Sequence, residues 1–352
     1  MSGARFTSRD SPLASPRRLT ALVIKLAVIG LGWWGHKIVR DLQGSDDARV
    51  VLAVDIEPRA RDAVSALGVR TAATLDEALA DDEVQAVVLC TPHRLHAEQI
   101  VAAARAGRHV FCEKPLTTTG QEARAALAAV AEAGVQIGIG HERRFEPAVQ
   151  RVRDMCISGE LGTPLVLEGN FSQDKFLDLP ADNWRLSDEH APVGPLSATG
   201  IHLVDLAIAV FGRPTEVWAR LSTQATTFEN GDTLTITMGF EKGQTALITA
   251  ILTTPFAGRV TVLGSKAWVE IRDRNHPELP RGWDVTTVHR GAEAETTFYP
   301  PHPSVRENIE TFARAAQGLE TYPVSLEEMQ SNVDAFEAIT RSARSGLVEA
   351  VG

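Results

Sequence analysis

Cysteine is scarce in this chain, long apolar runs are missing, and no block of like charge appears among its 352 residues. Each absence removes a class of protein. The three cysteines, Cys90, Cys112 and Cys156, are an odd number without metal-ligand spacing, so neither a disulfide framework nor a metal site is expected. Cys90 and Cys112 fall in apolar, strand-like runs and read as small core residues in a reducing compartment. No apolar run is long enough to span a bilayer, and no membrane association is expected. Acids outnumber bases, 45 to 35, for a net charge of −10 that is dispersed along the chain. Such a surface repels a polyanion, so nucleic acid is not expected as a partner. Internal repeats are absent too, and low complexity is confined to the N-terminus.

That N-terminus, "MSGARFTSRDSPLASPRRLT" (residues 1–20), is rich in Ser, Arg and Pro and nearly free of acids. Arg17-Arg18 ahead of an apolar stretch is similar to a twin-arginine export signal. The stretch runs straight into "GLGWWG", however, and is needed as the first strand of a domain. Residues 1–20 therefore read as a disordered tail or an over-long start, and the protein as cytoplasmic.

What is present is a globular composition, 44% hydrophobic and 23% charged, in a chain long enough for two domains. Residues 22–140 alternate apolar runs ("LVIKLAVIG", "RVVLAVD", "VQAVVLC", "HVFCEKP", "VQIGIG") with helical segments that end at Gly68, Gly107 and Gly134. Strands buried on both faces and alternating with helices predict a doubly wound parallel sheet, an α/β domain over residues 21–144. Past residue 145 the rhythm changes. A helix, an irregular segment "LPADNWRLSDEHAPVG" and an apolar helix around His202 precede a run of alternating strands. Asn230-Gly231 and Lys242-Gly243 are its turn signals, and helices near 304–318 and 325–345 close the chain. Residues 145–352 are expected to form an α+β domain with a large, mostly antiparallel open sheet.

"AVIGLGWWGHKIV" holds Gly30-x-Gly32-x-x-Gly35 between a strand and a helix, with Asp55 at the end of the next strand. In that context the motif predicts a Rossmann dinucleotide site. Gly30 permits the tight turn, Gly32 lets backbone N–H groups approach a pyrophosphate, and Gly35 lets the helix sit close, its positive end at the phosphates. Asp55 suits two ribose hydroxyls and repels a 2′-phosphate, which favours NAD over NADP. Arg59 keeps NADP as the alternative. Trp33 and Trp34 either cover the cofactor or lie under a neighbouring loop.

Ligands in such sheets bind beyond the carboxyl ends of the strands. Those ends carry Thr91, Pro92, His93 and His96, then Glu113 and Lys114, then His141-Glu142-Arg143-Arg144. Thr91, Pro92, His96, Glu113 and Lys114 are expected at the cofactor edge. Lys114, between a glutamate and a proline, has little freedom and a carboxylate to pair with. Held near a substrate hydroxyl, it would stabilise a developing alkoxide, and His202 would accept the hydroxyl proton. Trp184 and Arg185 are candidate contacts for a sugar ring and for a hydroxyl or carboxylate. His141, Arg144 and Thr199 are further substrate candidates.

"GLGWWG", "CTPHRLHAEQIVAAARAGRHVFCEKPL", "RRFEPAVQRVRDMCISGELGTPL" and "GIHLVDL" resemble the glucose–fructose oxidoreductase / inositol dehydrogenase / rhizopine-catabolism (Gfo/Idh/MocA) family, over about residues 22–345. The resemblance implies NAD(P)-dependent oxidoreduction of a sugar, inositol, related polyol or sugar acid, with Lys114 and His202 as catalytic groups. It also implies a homodimer or homotetramer built through the open sheet. Asp205 matches an acid of the motif with a structural role. One departure stands out. Many dehydrogenases of the family carry an aspartate four residues before the histidine, and here that residue is Ala198. A replacement acid is sought in the irregular segment, where Asp174, Asp178, Asp182, Asp188 and Glu189 lie. The same departure leaves two other readings open. One is an NAD(P)-sensing regulatory protein, the other an enzyme that uses transient oxidation for isomerisation or elimination.

Overall fold

The computed structural model describes residues 23–352; the expected tail of residues 1–20 lies outside them. Six parallel strands form the first sheet: β1 (Ile24–Ile29), β2 (Ala48–Val54), β3 (Arg70–Ala72), β4 (Ala86–Leu89), β5 (His109–Cys112) and β6 (Ile137–Ile139), in the order β3-β2-β1-β4-β5-β6. Their helices are α1 (Trp33–Asp41), α2 (Pro58–Ser65), α3 (Leu75–Ala80), α4 (His96–Arg105) and α5 (Gly120–Ala133). β4 is buried along its whole length, because helices cover both faces of the sheet. The order reverses between β1 and β4, which opens a crevice at their carboxyl ends. Helix α5 is closed at both ends by local chemistry. Thr119 and Glu122 form a capping box at its start, and Gly134 ends it in the left-handed region at φ 65°.

The second layer follows α6 (Pro147–Ile157) and is a nine-stranded mixed sheet. Its strands are β7 (Pro164–Ser172), β8 (Pro214–Ser222), β9 (Thr233–Phe240), β10 (Thr245–Ile251), β11 (Ala257–Gly264), β12 (Ala267–Asp273), β13 (Trp283–His289), β14 (Glu295–Tyr299) and β15 (Glu349–Ala350). Only β7 and β10 pair in parallel; the other neighbours run antiparallel. Helix α6, α7 (Ile201–Phe211) and α9 (Leu326–Ser345) cover one face and share its core. The opposite face exposes Trp218 and Leu247, which flank Thr237 across β8, β9 and β10.

The break expected at residue 144 does not divide the two cores. Helix α8 (Ser304–Ala316) returns to the first one, where Val305, Ile309 and Phe312 are buried with the parallel strands. Its reason lies at the sheet edge. Asn308 donates to the carbonyl of Ile139 at 2.9 Å, and the Tyr322 hydroxyl accepts from the Ile139 amide at 3.1 Å. The last strand, β6, thus has its outer backbone groups satisfied.

Adjacent arginines tie the layers together. Arg143, 1% exposed, reaches both oxygens of Asp273 at 2.9 Å and lies 3.3 Å from Glu146. Arg144 binds Asp205 through Nε and Nη2, both at 2.7 Å, and Glu328 at 2.6 Å.

Candidate active site

The glycine turn after β1 is shaped by what each position has room for. Gly30 sits at φ 92°, and a Cβ there would lie 2.8 Å from the carbonyl oxygen of Cys90. A Cβ on Gly35 would fall 1.9 Å from the Gly30 oxygen, so α1 rests directly on the turn. Gly32 differs, since nothing lies within 4 Å of its missing Cβ. Helix α1 starts at that open point with no side-chain cap and no acid in its first turn, leaving its leading N–H groups free. Asp55 accepts the Leu31 amide on one carboxylate oxygen at 2.6 Å and the Glu57 amide on the other at 2.8 Å. Each oxygen keeps lone-pair capacity for a ribose hydroxyl. Open space over free N–H groups, with an acid alongside, fits a dinucleotide pyrophosphate and ribose.

A cleft of about 310 Å³ runs from this turn toward the mixed sheet. Trp33, Trp34 and Thr91 of the first domain line it together with Phe171, Gln173 and Arg185 of the second, and so do Lys114 and His202. Lys114 precedes a cis proline. Its ammonium donates to the carbonyls of Ser197 at 3.1 Å and Ala198 at 2.8 Å. The expected close ion pair is replaced by these carbonyl bonds, which leave one N–H for a ligand. Burial lowers the Lys114 pKa, and the carboxylates of Glu142 and Glu113 counter that fall. Glu113 is itself pushed up to about 8 by burial and by Glu142 nearby. A Cβ on Gly140 would lie 2.4 Å from the Glu113 carboxylate, so that glycine makes its room.

His202 is 5% exposed. Its Nδ1 is buried without a hydrogen-bond partner, and Oε2 of Glu142 lies 3.7 Å away. Burial holds the imidazole well below its ordinary pKa, and Lys114, His141, Arg143 and His276 reinforce this. It therefore waits neutral, as a proton acceptor must. The turn ahead of it, Leu196–Gly200, is π-helical, and α7 begins only at Ile201. A wider turn breaks the one-turn relation expected between Ala198 and His202. Val193, β-branched yet at φ 50°, marks strain in the approach to it.

The irregular segment is pinned by Asn230, whose side-chain amide donates to the carbonyls of Arg185 at 2.8 Å and Ala191 at 2.7 Å. This places Trp184 edge-on to His93, ring centroids 5.0 Å apart, with the Arg185 guanidinium 4.3 Å over the indole. Both line the cleft. Thr199 lines it too, its hydroxyl donating to the Pro195 carbonyl at 3.3 Å.

Other expectations are corrected. Arg144 does not reach the cleft, because Asp205 and Glu328 hold it elsewhere. His141 is buried behind His202, ring centroids 5.9 Å apart, with Nε2 3.7 Å from Asp205, and does not line the cavity. Pro92 is not at the cavity either; it starts the short turn His93–Leu95. His96 reaches the wall, but its ring nitrogens meet the carbonyls of Pro115 at 2.8 Å and Thr91 at 3.0 Å, so it braces two loops. None of Asp174, Asp178, Asp182, Asp188 and Glu189 enters the cleft. Three acids line it, Glu113, Glu142 and Glu278, and the one beside His202 is Glu142, which the sequence placed at the ligand edge without a role. His276, together with the Lys175–Glu278 ion pair, was missed altogether, since the connection after β12 carries no motif. Cys90 packs against the first core, as expected, and also lines the cleft.

Among the described residues no group of three or more His, Cys, Asp or Glu is placed to hold a metal ion. No described helix is long and apolar enough to cross a membrane.

A dinucleotide cradle facing a buried lysine and a neutral histidine defines an NAD-binding oxidoreductase with a Rossmann domain. Residues 24–141 match the oxidoreductase family described as having an NAD-binding Rossmann fold, and residues 149–270 match the GFO/IDH/MocA C-terminal domain. The chain belongs to the GFO/IDH/MocA family. It is 31% identical over 325 residues to D-xylose 1-dehydrogenase (NADP(+)) 2 of Haloferax volcanii, spanning 91% of this chain and 97% of the relative. The solved aldose-aldose oxidoreductase of Caulobacter crescentus, complexed with glycerol, superposes with a TM-score of 0.83 at 24% identity, covering 94% of this chain and all of that one. The WlbA dehydrogenase of Bordetella pertussis, in complex with NADH and UDP-GlcNAcA, gives 0.78 at 25% identity, covering 95% and 99%.

Proposed function

We propose that this protein is an NAD(P)-dependent dehydrogenase or reductase acting on a CH–OH carbon of a sugar, inositol, related polyol or sugar acid. The observation that carries the reading is the convergence of Lys114 and His202 on one cleft that also takes in Trp33 and Trp34, the residues just past Gly32 of the glycine turn. The dehydrogenase names of the relatives support it. When bound, the nicotinamide accepts or returns the hydride. Lys114 donates its remaining N–H to the substrate oxygen and stabilises negative charge there. His202 takes the hydroxyl proton during oxidation and returns it during reduction. Trp184 offers a face to the sugar ring and Arg185 a fork to its hydroxyls or carboxylate, with Thr199 beside them.

NAD is favoured by Asp55. NADP is the alternative, supported by the relative named for NADP(+) and by the exposed Arg59. The protein works in the cytoplasm, a reading supported by its three unpaired cysteines, and as a homodimer or homotetramer, for which the uncovered sheet face with Trp218 and Leu247 is the support; light scattering on the purified protein measures its mass. The regulatory reading arose from the missing acid at Ala198, and Glu142 beside His202 takes away that motive.

The test is NADH or NADPH formation across a panel of aldoses, inositols, alditols and sugar acids. Lys114→Ala should abolish nearly all turnover while nucleotide binding persists. Near-native rates in that variant would refute the assignment.

A further inference from the structure

We propose that Glu142 is the positioning acid of His202, supplied from the loop after β6 instead of from the helix that carries the histidine. The inference rests on the reading of His202 as the proton acceptor. Its geometric basis is a pair of side chains from two domains meeting in the interior. Nδ1 of His202 has no hydrogen-bond partner, and Glu142 Oε2, at 3.7 Å, is its one ion-pair contact among the described residues. The gap closes with a small rotation, as catalytic contacts do when a ligand seats. Nδ1–H donating to that carboxylate fixes the tautomer that leaves Nε2 as the acceptor for the substrate proton.

The surroundings make an acid necessary. Lys114 reaches toward His202 from the loop after β5, His141 and Arg143 from the loop after β6, and His276 from the connection after β12. Phe171 of β7 adds an apolar wall, its ring centroid 5.9 Å from that of His202. The charges that act on the ring from these elements are positive or potentially so; Glu113 and Glu278 line the same cleft, and Asp205 lies 3.7 Å from His141. Proton uptake adds one more positive charge. Glu142 is the acid within 4 Å of the ring among the described residues, and without it that buried charge would lose its direct counter-charge. Ala198 offers only its carbonyl, which Lys114 already occupies. Glu142 also borders a second cavity, of about 470 Å³, lined by Lys37, Asp41, Pro277 and Trp283. Burial raises the Glu142 pKa, while the Lys114 and Arg143 cations beside it favour the ionised form.

The experiment uses full-length protein with ¹⁵N-labelled histidine and saturating NADH, the His202 signals being assigned by their loss in His202→Asn. The wild type should show the Nδ1–H tautomer at His202, a result that needs no variant to fold. An Nε2–H tautomer would overturn the proposal. In Glu142→Gln the His202 pKa should fall by about one unit or more. With D-xylose and myo-inositol as probes, the acidic limb of kcat/KM should move down with it, and kcat should drop about a hundredfold at unchanged NADH affinity. A His202 pKa identical in the two proteins would also overturn the proposal. If His202→Asn keeps wild-type turnover while the pKa difference holds, the proton-acceptor reading has failed and the pairing has not.

Discussion

Two identical substitutions three residues apart should have opposite consequences. Gly32→Ala and Gly35→Ala each add one methyl to the turn that opens α1. At Gly32 the backbone stands at φ −58° and ψ −179°, which alanine adopts freely, and the new methyl meets nothing within 4 Å. Folding stability should stay within about 1 kcal/mol, with a slight gain from reduced freedom of the unfolded chain. The methyl nevertheless stands in the space a pyrophosphate would use and denies it the N–H groups of the helix. NADH binding should weaken at least about tenfold, the cost of about one lost charge-assisted hydrogen bond. At Gly35 the methyl would lie 1.9 Å from the Gly30 oxygen, far inside van der Waals contact. Relieving that overlap means moving α1 off a turn that Cys90 fixes from below, at about 3 kcal/mol or more by comparison with overpacked cores. The midpoint of thermal unfolding should fall by about 6 °C or more. Differential scanning fluorimetry and an NADH fluorescence titration read the two effects separately. Wild-type NADH affinity in Gly32→Ala would refute the placement of the phosphates. An unchanged midpoint in Gly35→Ala would refute the close contact of helix and turn.

Arg143→Leu should cost about 3–5 kcal/mol, because it strands Asp273 and Glu146 in the interior without their cation; the urea midpoint measures it, and a loss under 1 kcal/mol would contradict the buried pairing. Arg185 has no ion-pair partner among the described residues and is pulled down to about 10 by burial. If it holds a carboxylate, Arg185→Met should raise KM for D-gluconate about tenfold or more while sparing D-xylose; equal effects on both would refute that role. Stability should peak near pH 6.5. Six histidines (His93, His96, His109, His141, His202 and His276) have pKa values lowered by burial, so the unfolded chain binds more protons below the usual histidine value. Stability is therefore lost as pH falls from about 6.5 through the value of about 4 at His141 and about 3 at His276. Glu113, raised to about 8, works the other way and costs stability as pH rises from its ordinary range toward 8. Unfolding midpoints that climb steadily from pH 6.5 to 8 would show the sign for Glu113 to be wrong.

The parallel sheet was legible because its strands are short apolar runs buried on both faces, and such runs carry their own signature. The glycine turn was legible because each glycine answers a local demand: a left-handed φ at Gly30, a close contact at Gly35, an open approach at Gly32. Short elements were not. β3 and α3 have too few apolar residues for a period to emerge, and β14 is exposed along nearly all its length, so it carries no core-facing alternation. Nor did the sequence show where charged side chains look for partners. Arg144 and Glu142 stand two residues apart after the same strand, with equal claims on the cleft. Arg144 turns to Asp205 and Glu328, while Glu142 lies beside His202.

By itself, then, the sequence determined the local states: strand and helix identities, the cradle for a dinucleotide, and the lysine and histidine that belong with it. Backbone propensity, periodicity and short motifs are properties of neighbouring residues, so they survive in one dimension. Tertiary structure alone decided which acid lies beside His202, why Lys114 binds carbonyls, and that α8 closes the edge of the first sheet. Those outcomes depend on residues far apart in the chain, 60 between Glu142 and His202 and 169 between Ile139 and Asn308. Burial sets their energy, and burial exists only once both layers have come together.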